Sequence, residues 1–139
     1  MKTLRIFIGT HLSKNKTAFS TINVIDEQSN ALTLPSKQYK DNKLTYHRIQ
    51  LRTIYDFANE IYESNIKKNI KLIFYVKDDL ITYEWNQEYK KENKISNDTN
   101  DKDIYNKLIN IDKQIQIEIK GKDAILSSIN RLGIKKWQT

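Results

Sequence analysis

Cysteine is absent from this 139-residue chain, and it holds one proline and three glycines. Without cysteine there is neither a disulfide framework nor a thiolate metal site, which suits a reducing, cytoplasmic setting. So few glycines and prolines leave no flexible linker or low-complexity hinge. The length fits one domain over residues 1–139. No apolar run approaches the roughly 20 residues that a membrane helix needs. Met1-Lys2-Thr3-Leu4-Arg5 leads into a short alternating stretch rather than a signal-peptide core, so no membrane association is expected. Histidine is scarce too. His11 and His47 form no H-x-x-x-H or H-E-x-x-H pair, which argues against a zinc enzyme. Neither a G-x-S-x-G elbow nor a phosphate-binding glycine loop is present.

What the chain has in excess is positive charge, a formal +7. A basic surface favours polyanions through counterion release. The bland explanation is compositional: Lys, Asn and Ile are abundant, and A+T-rich codons encode all three.

The apolar pattern then orders the chain. Leu4, Ile6 and Ile8 alternate as in a strand, Ala18 to Asp26 alternates again, and Ala31 to Leu34 gives a third short strand closed by Pro35. These three read as an antiparallel meander. Leu51, Ile54, Tyr55, Ala58, Ile61 and Tyr62 form the stripe of a long helix with Thr45 as its N-cap. Ile70 to Val76 is a buried-type strand, expected parallel to the first. Asp78 or Asp79 caps a second helix through Leu80, Ile81, Trp85 and Tyr89. Residues 90–102 read as a charged, mobile connection. Asp103 caps a third helix, and Ile115, Ile117 and Ile119 alternate in a last strand. A final helix runs through Ala124, Ile125, Ile129 and Leu132, followed by the basic tail Lys135-Lys136-Trp137. The order β-β-β-α-β-α-α-β-α predicts an α/β fold, a five-stranded mixed sheet flanked by helices.

Local motifs point the same way. Thr45-Tyr46-His47-Arg48-Ile49-Gln50-Leu51 has the form T-x-x-R-x-(E)-L with glutamine for glutamate. Leu4 to Thr10, Leu72 to Asp78, Glu84-Trp85-Asn86-Gln87-Glu88-Tyr89-Lys90-Lys91, Asp103 to Leu108 and Ile115 to Lys122 follow in matching order. Together they resemble type 1 ribonuclease H along nearly the whole chain. The resemblance implies an RNase H-like fold. It also implies a site where four carboxylates hold two divalent ions about 4 Å apart.

The carboxylates of that pattern are missing from the matching positions. Gly9, Gln50 and Lys77 stand where the resemblance implies acids, with Asp78 one residue from the third. The fourth position falls near Leu132, and no acid occurs from Ala124 to the C-terminus. Lys122 takes the place of the family's histidine. No catalytic residue and no cofactor are therefore expected. Magnesium or manganese would enter only if a rearranged site used Asp26, Asp78, Asp79 or Glu84.

Binding candidates are Trp85, Tyr89, Lys90, Lys91 and Lys94, where aromatics could stack on bases and lysines meet phosphates. Equally, Trp85 could be core and the lysines a solvated end, and Glu84, Glu88 and Glu92 dilute the field. Lys14, Lys16, Arg48 and Lys122 flank the groove that the resemblance implies, although Arg48 also suits a bridge between sheet and helix. His47 reads as a surface or capping residue and His11 as a loop residue. The expected function is a catalytically inactive RNase H-like domain that binds RNA or an RNA–DNA hybrid. The alternatives are a protein-interaction or inhibitor module, such as a mobile element carries, and an active metal-dependent ribonuclease with rearranged acids.

Overall fold

The computed structural model describes residues 2–12, 17–28, 30–40, 45–64, 69–96 and 99–125, with backbone alone for 35–37 and 40. Five strands form one sheet in the order β3-β2-β1-β4-β5. They are β1 (Lys2–Leu12), β2 (Thr17–Ile25), β3 (Ala31–Lys40), β4 (Ile70–Tyr75) and β5 (Gln116–Lys120). β1 pairs antiparallel with β2, and β2 with β3, as the meander predicts. β4 runs parallel to β1 from Lys2↔Ile70 to Phe7↔Tyr75, and β5 runs parallel to β4. Between β3 and β4 lies α1 (Tyr46–Glu63), the crossover that a parallel β1–β4 pair requires.

Side-chain alternation sets the two faces. Leu4, Ile6 and Ile8 join Leu51, Ile54, Leu72 and Phe74 in the main core under α1. Phe7 points to the other face, where it stacks on Tyr75 at 4.4 Å and packs with Ile25, Ile73 and Ile125. A strand covered on both faces reads as a continuous apolar run, which is why β4 shows no alternation.

β3 runs further than expected. Pro35 does not end it, and the strand continues to Lys40. β3 is an edge strand, so a proline lacking its N–H can be accommodated. The pairing also shifts here: Ile22 faces Leu34 while Ser20 faces Lys37, which leaves β3 with one extra residue in a bulge.

The N-terminus of α1 is as expected. The Thr45 hydroxyl accepts from the Arg48 amide at 3.1 Å, a cap worth roughly 1 kcal/mol. At the other end, the Ser64 hydroxyl donates to the Ile61 carbonyl at 2.6 Å.

The second helix departs from the single amphipathic helix that the spacing suggests. α2 covers Asp79–Tyr83 and widens into a π-helical segment over Glu84–Lys90. Asp78 is its cap, with Oδ1 accepting from the amides of Leu80 (2.9 Å) and Ile81 (3.3 Å). Trp85 is fully buried, so its assignment to a binding surface is corrected: the ring belongs to the core. The connection after residue 90 is not simply a solvated stretch either, since Ile95 is buried in the same core.

α3 spans Lys102–Asp112, and its cap position is Asp101 rather than Asp103. Asp101 has a left-handed backbone (φ 61°) and its side chain does not cap the helix. Its carboxylate is used elsewhere. Residues 122–125 form a helical turn where the final helix is expected; Ile129, Leu132 and the tail at Lys135–Trp137 lie outside the described residues. Among the described residues no helix is long and apolar enough to cross a membrane.

Trp85→Ala should lower the free energy of unfolding by about 3–5 kcal/mol, the usual cost of deleting a large buried aromatic. Urea denaturation measures this, and a loss below about 1 kcal/mol would mean that the indole lies at the surface.

Candidate functional site

The register of β1 and β4 brings their C-terminal ends out on the same side of the sheet. The parallel pairing ends at Phe7↔Tyr75, so Gly9 and Lys77 each follow two residues on. α1 starts above this point and presents Gln50, which is wholly buried. Its Oε1 accepts from the Asp78 amide at 3.3 Å. Gln50 and the Asp78 turn therefore do converge. Asp78, however, directs Oδ1 into its own helix, and Gly9 has no side chain to add.

Two divalent ions require several anionic oxygens held toward one point. Gln50 offers a neutral oxygen already engaged by an N–H, and Asp78 Oδ1 already accepts two amides. Among the described residues no group of three His, Asp or Glu side chains could hold a metal ion. The residues described here do not fit a metal pair.

The other acids lie apart from this point. Asp26 sits by the opposite end of β1, where Oδ1 accepts from the Gln28 and Asn30 amides at 2.9 Å each. Those bonds, led by the one from Asn30, hold its carboxyl below the ordinary range. Asp79 is exposed at the start of α2, 3.9 Å from Lys122. Glu84 is buried, and its Oε1 is engaged in a separate cluster.

That cluster centres on His47. Nε2 lies 2.9 Å from Glu84 Oε1, and Nδ1 lies 2.9 Å from Asp101 Oδ2. The Tyr105 hydroxyl donates to the same Glu84 oxygen at 2.8 Å. Arg48 donates to Asp101 Oδ1 at 2.6 Å and reaches Asp103 at 3.4 Å. An ionised carboxylate only accepts hydrogen bonds. Both ring contacts can thus be hydrogen bonds when the imidazole carries two protons, or when one carboxyl is protonated. Burial first, and Glu84 second, push the Tyr105 phenol far above its ordinary value, so it remains a donor. Burial works against ionised Asp103, but the hydrogen bond and charge of Arg48 outweigh it and hold that carboxyl below its usual range.

His47 is therefore a part-buried hub joining α1, the π-helical segment and α3, not a surface or capping residue. His11 is likewise corrected: β1 extends through it, and its ring stacks on Phe19 at 4.6 Å. The pattern around Asp103 was visible in the sequence. The role of Asp101, two residues earlier and outside the helix, was not.

The expected binding residues separate into three groups. Trp85 is buried. Arg48 and Tyr89 are tied inward, and Lys90 is exposed but paired: the Tyr89 hydroxyl and Lys90 Nζ both reach Asp112 Oδ2 at 2.7 Å, and Lys90 lies 5.4 Å from the Trp85 ring centroid. Lys91, Lys94 and Lys122 are exposed. Lys91 and Lys94 border a hollow of about 650 Å3 with Gln87 and Tyr83. Tyr83, 58% exposed, is the accessible aromatic here, one turn beyond exposed Leu80 on α2. Lys14 and Lys16 lie outside the described residues.

Neither a family model nor a curated protein matches this chain. Solved structures do. LC11-RNase H1, isolated from compost by a metagenomic approach, is similar at a TM-score of 0.63 and 12% identity, covering 95% of this chain and 93% of that one. The RNase H domain of prototype foamy virus is similar at 0.59 and 9%, covering 94% and 88%. The chain has the RNase H-like fold. LC9-RNase H1, a type 1 RNase H with the type 2 active-site motif, matches at 0.64 and 9%, covering 88% of this chain and 63% of that one. LC11-RNase H1 has also been solved in complex with an RNA/DNA hybrid. The RNase H-like element order and the five-stranded mixed sheet agree with what the motifs predict.

Within this RNase H-like frame the His47 hub has a measurable energy. His47→Ala removes the imidazole that bridges Glu84 and Asp101, leaves buried Glu84 short of a hydrogen-bond partner, and should cost about 3 kcal/mol in stability. A double-mutant cycle with Glu84→Gln should return a coupling above about 1 kcal/mol, whereas under about 0.5 would show the contact to be incidental.

Proposed function

We propose that this chain is a nucleic-acid-binding RNase H-like domain that does not cut by the two-metal route. Its ligand would be an RNA–DNA hybrid or a structured RNA, read through shape and phosphates rather than sequence. The observation that carries the reading is Gln50: neutral, buried, and spending its oxygen on the Asp78 amide where a metal ligand would need to point outward. Binding is supported by the +7 charge, by exposed Lys91, Lys94 and Lys122, and by the hybrid complex of LC11-RNase H1. The foamy virus neighbour accords with an origin in a mobile element.

One observation favours the second reading, a protein-interaction or inhibitor module. Arg48 and Lys90 are held by Asp101, Asp103 and Asp112, which leaves less positive charge for phosphates than the sequence suggests. The third reading, an active ribonuclease with rearranged acids, would need magnesium or manganese and would depend on Asp78.

Affinity for hybrid, duplex RNA and duplex DNA across about 50–200 mM salt tests these readings. The first predicts binding that weakens with salt. The log–log slope should fall by about one for each of Lys91→Ala and Lys94→Ala, and the hybrid should stay intact in magnesium or manganese. Absent or salt-insensitive binding overturns it. Co-purification with one stoichiometric protein and no nucleic acid supports the second reading. Metal-dependent cleavage lost on Asp78→Asn supports the third.

A further inference from the structure

A cavity of about 220 Å3 opens between β2, β3 and α1, away from Gln50, from the His47 cluster and from Lys91. It is smaller than the roughly 300–1,000 Å3 of small-molecule sites, so it suits a single side chain. Ile22, Leu34 and Phe57 give it apolar walls. Its polar floor is already satisfied. Thr53 Oγ1 lies 2.8 Å from Ser20 Oγ and donates to the Ile49 carbonyl at 2.7 Å. The Tyr39 hydroxyl donates to Asp56 at 3.2 Å. Burial first pushes that phenol up to about 12, so it stays a donor. A guest therefore needs no polar atom at the base of the cavity.

The rim has the opposite character. Asp56 and Glu60, one helical turn apart on α1, are its charged lining, and among the described residues no Lys or Arg lines it. Arg52 is near, but its guanidinium lies over the Tyr39 ring, 5.1 Å from the centroid, and it is two turns from Glu60. Glu60 is exposed on a chain of net charge +7. Apolar walls below a carboxylate rim match a side chain with an aliphatic stem and a cationic head, which buries the stem and keeps the head in water. Asp56 already accepts from the Tyr39 hydroxyl, so exposed Glu60 is the carboxylate that a guest head meets, and a guanidinium, more weakly hydrated than an ammonium, suits such an interface pair better.

We propose that this cavity is a docking socket for one arginine side chain of a protein partner, its stem between Ile22, Leu34 and Phe57 and its head at Glu60. The socket is independent of the nucleic-acid reading, since it shares no residue with the surface that the reading uses.

The test uses the full chain and n-butylguanidinium, which reproduces an arginine stem and head, with n-butylurea as the neutral counterpart. NMR follows the Ile22 and Leu34 methyls and the Phe57 ring. The guanidinium should give saturable shifts, and the urea should bind about tenfold more weakly or worse. Glu60→Gln should weaken guanidinium binding about threefold, the scale of an exposed ion pair. Leu34→Trp, which fills the cavity, should abolish it. Glu60 is exposed, so its variant remains folded and the same spectra verify this. Absent saturable shifts, equal binding of the urea, or no effect of Glu60→Gln overturns the proposal. Self-association of the chain that Glu60→Gln abolishes would assign the socket to a second copy and also overturn it.

Discussion

A carboxylate buried where α1 meets the end of β4 must be paired with cations or metal ions, because an isolated buried charge costs many kcal/mol. Gln50 removes that requirement. Its neutral amide sits fully buried at the same point and takes the Asp78 amide as a donor. This bond ties the crossover helix to the turn that starts α2, while the Asp78 carboxylate is free to cap that helix. The junction carries no acid from α1 and is held by the Gln50–Asp78 hydrogen bond, while Gln50 Nε2 is buried there without a partner. The proposed loss of two-metal chemistry follows from the same residue.

The His47 cluster does the complementary work at the other end of the helix start. It gathers Glu84, Asp101, Tyr105 and Arg48 from three elements into one partly buried network. Breaking such a network by removing one member is expensive, so it fixes how α3 and the π-helical segment sit on α1. It also uses up Arg48. Asp112 does the same for Lys90 and Tyr89. Part of the positive charge near the start of α1 and the π-helical segment is thereby paired within the chain, and exposed Lys91 and Lys94, with Lys122 beside Asp79, remain for a polyanion.

Much of the fold was legible because it rests on local, periodic signals. The α1 stripe, its Thr45 cap, the alternation of β1 and the apolar run of β4 all lie in sequence as they lie in space. What was not legible depended on partners distant in the chain. Pro35 reads as a strand end until β3 is known to be an edge with a bulge opposite Ser20 and Ile22. Trp85 and Tyr89, four apart among lysines, suit a stacking surface equally well as a core. The π-helical segment, which periodicity cannot reveal, accompanies a fully buried Trp85. Asp101 carries no helix signal, and its value lies in contacts with His47 and Arg48 more than fifty residues away. The positions of Gly9 and Gln50 were readable by resemblance. That Gln50 reaches the Asp78 amide needed the structure.

Manganese titration followed by NMR tests the central claim most directly. Paramagnetic broadening is read at the amides of Gly9, Gln50 and Asp78. The account predicts no saturable broadening centred on these three positions, with or without bound hybrid. Saturable broadening there, with two ions bound per chain, would contradict it.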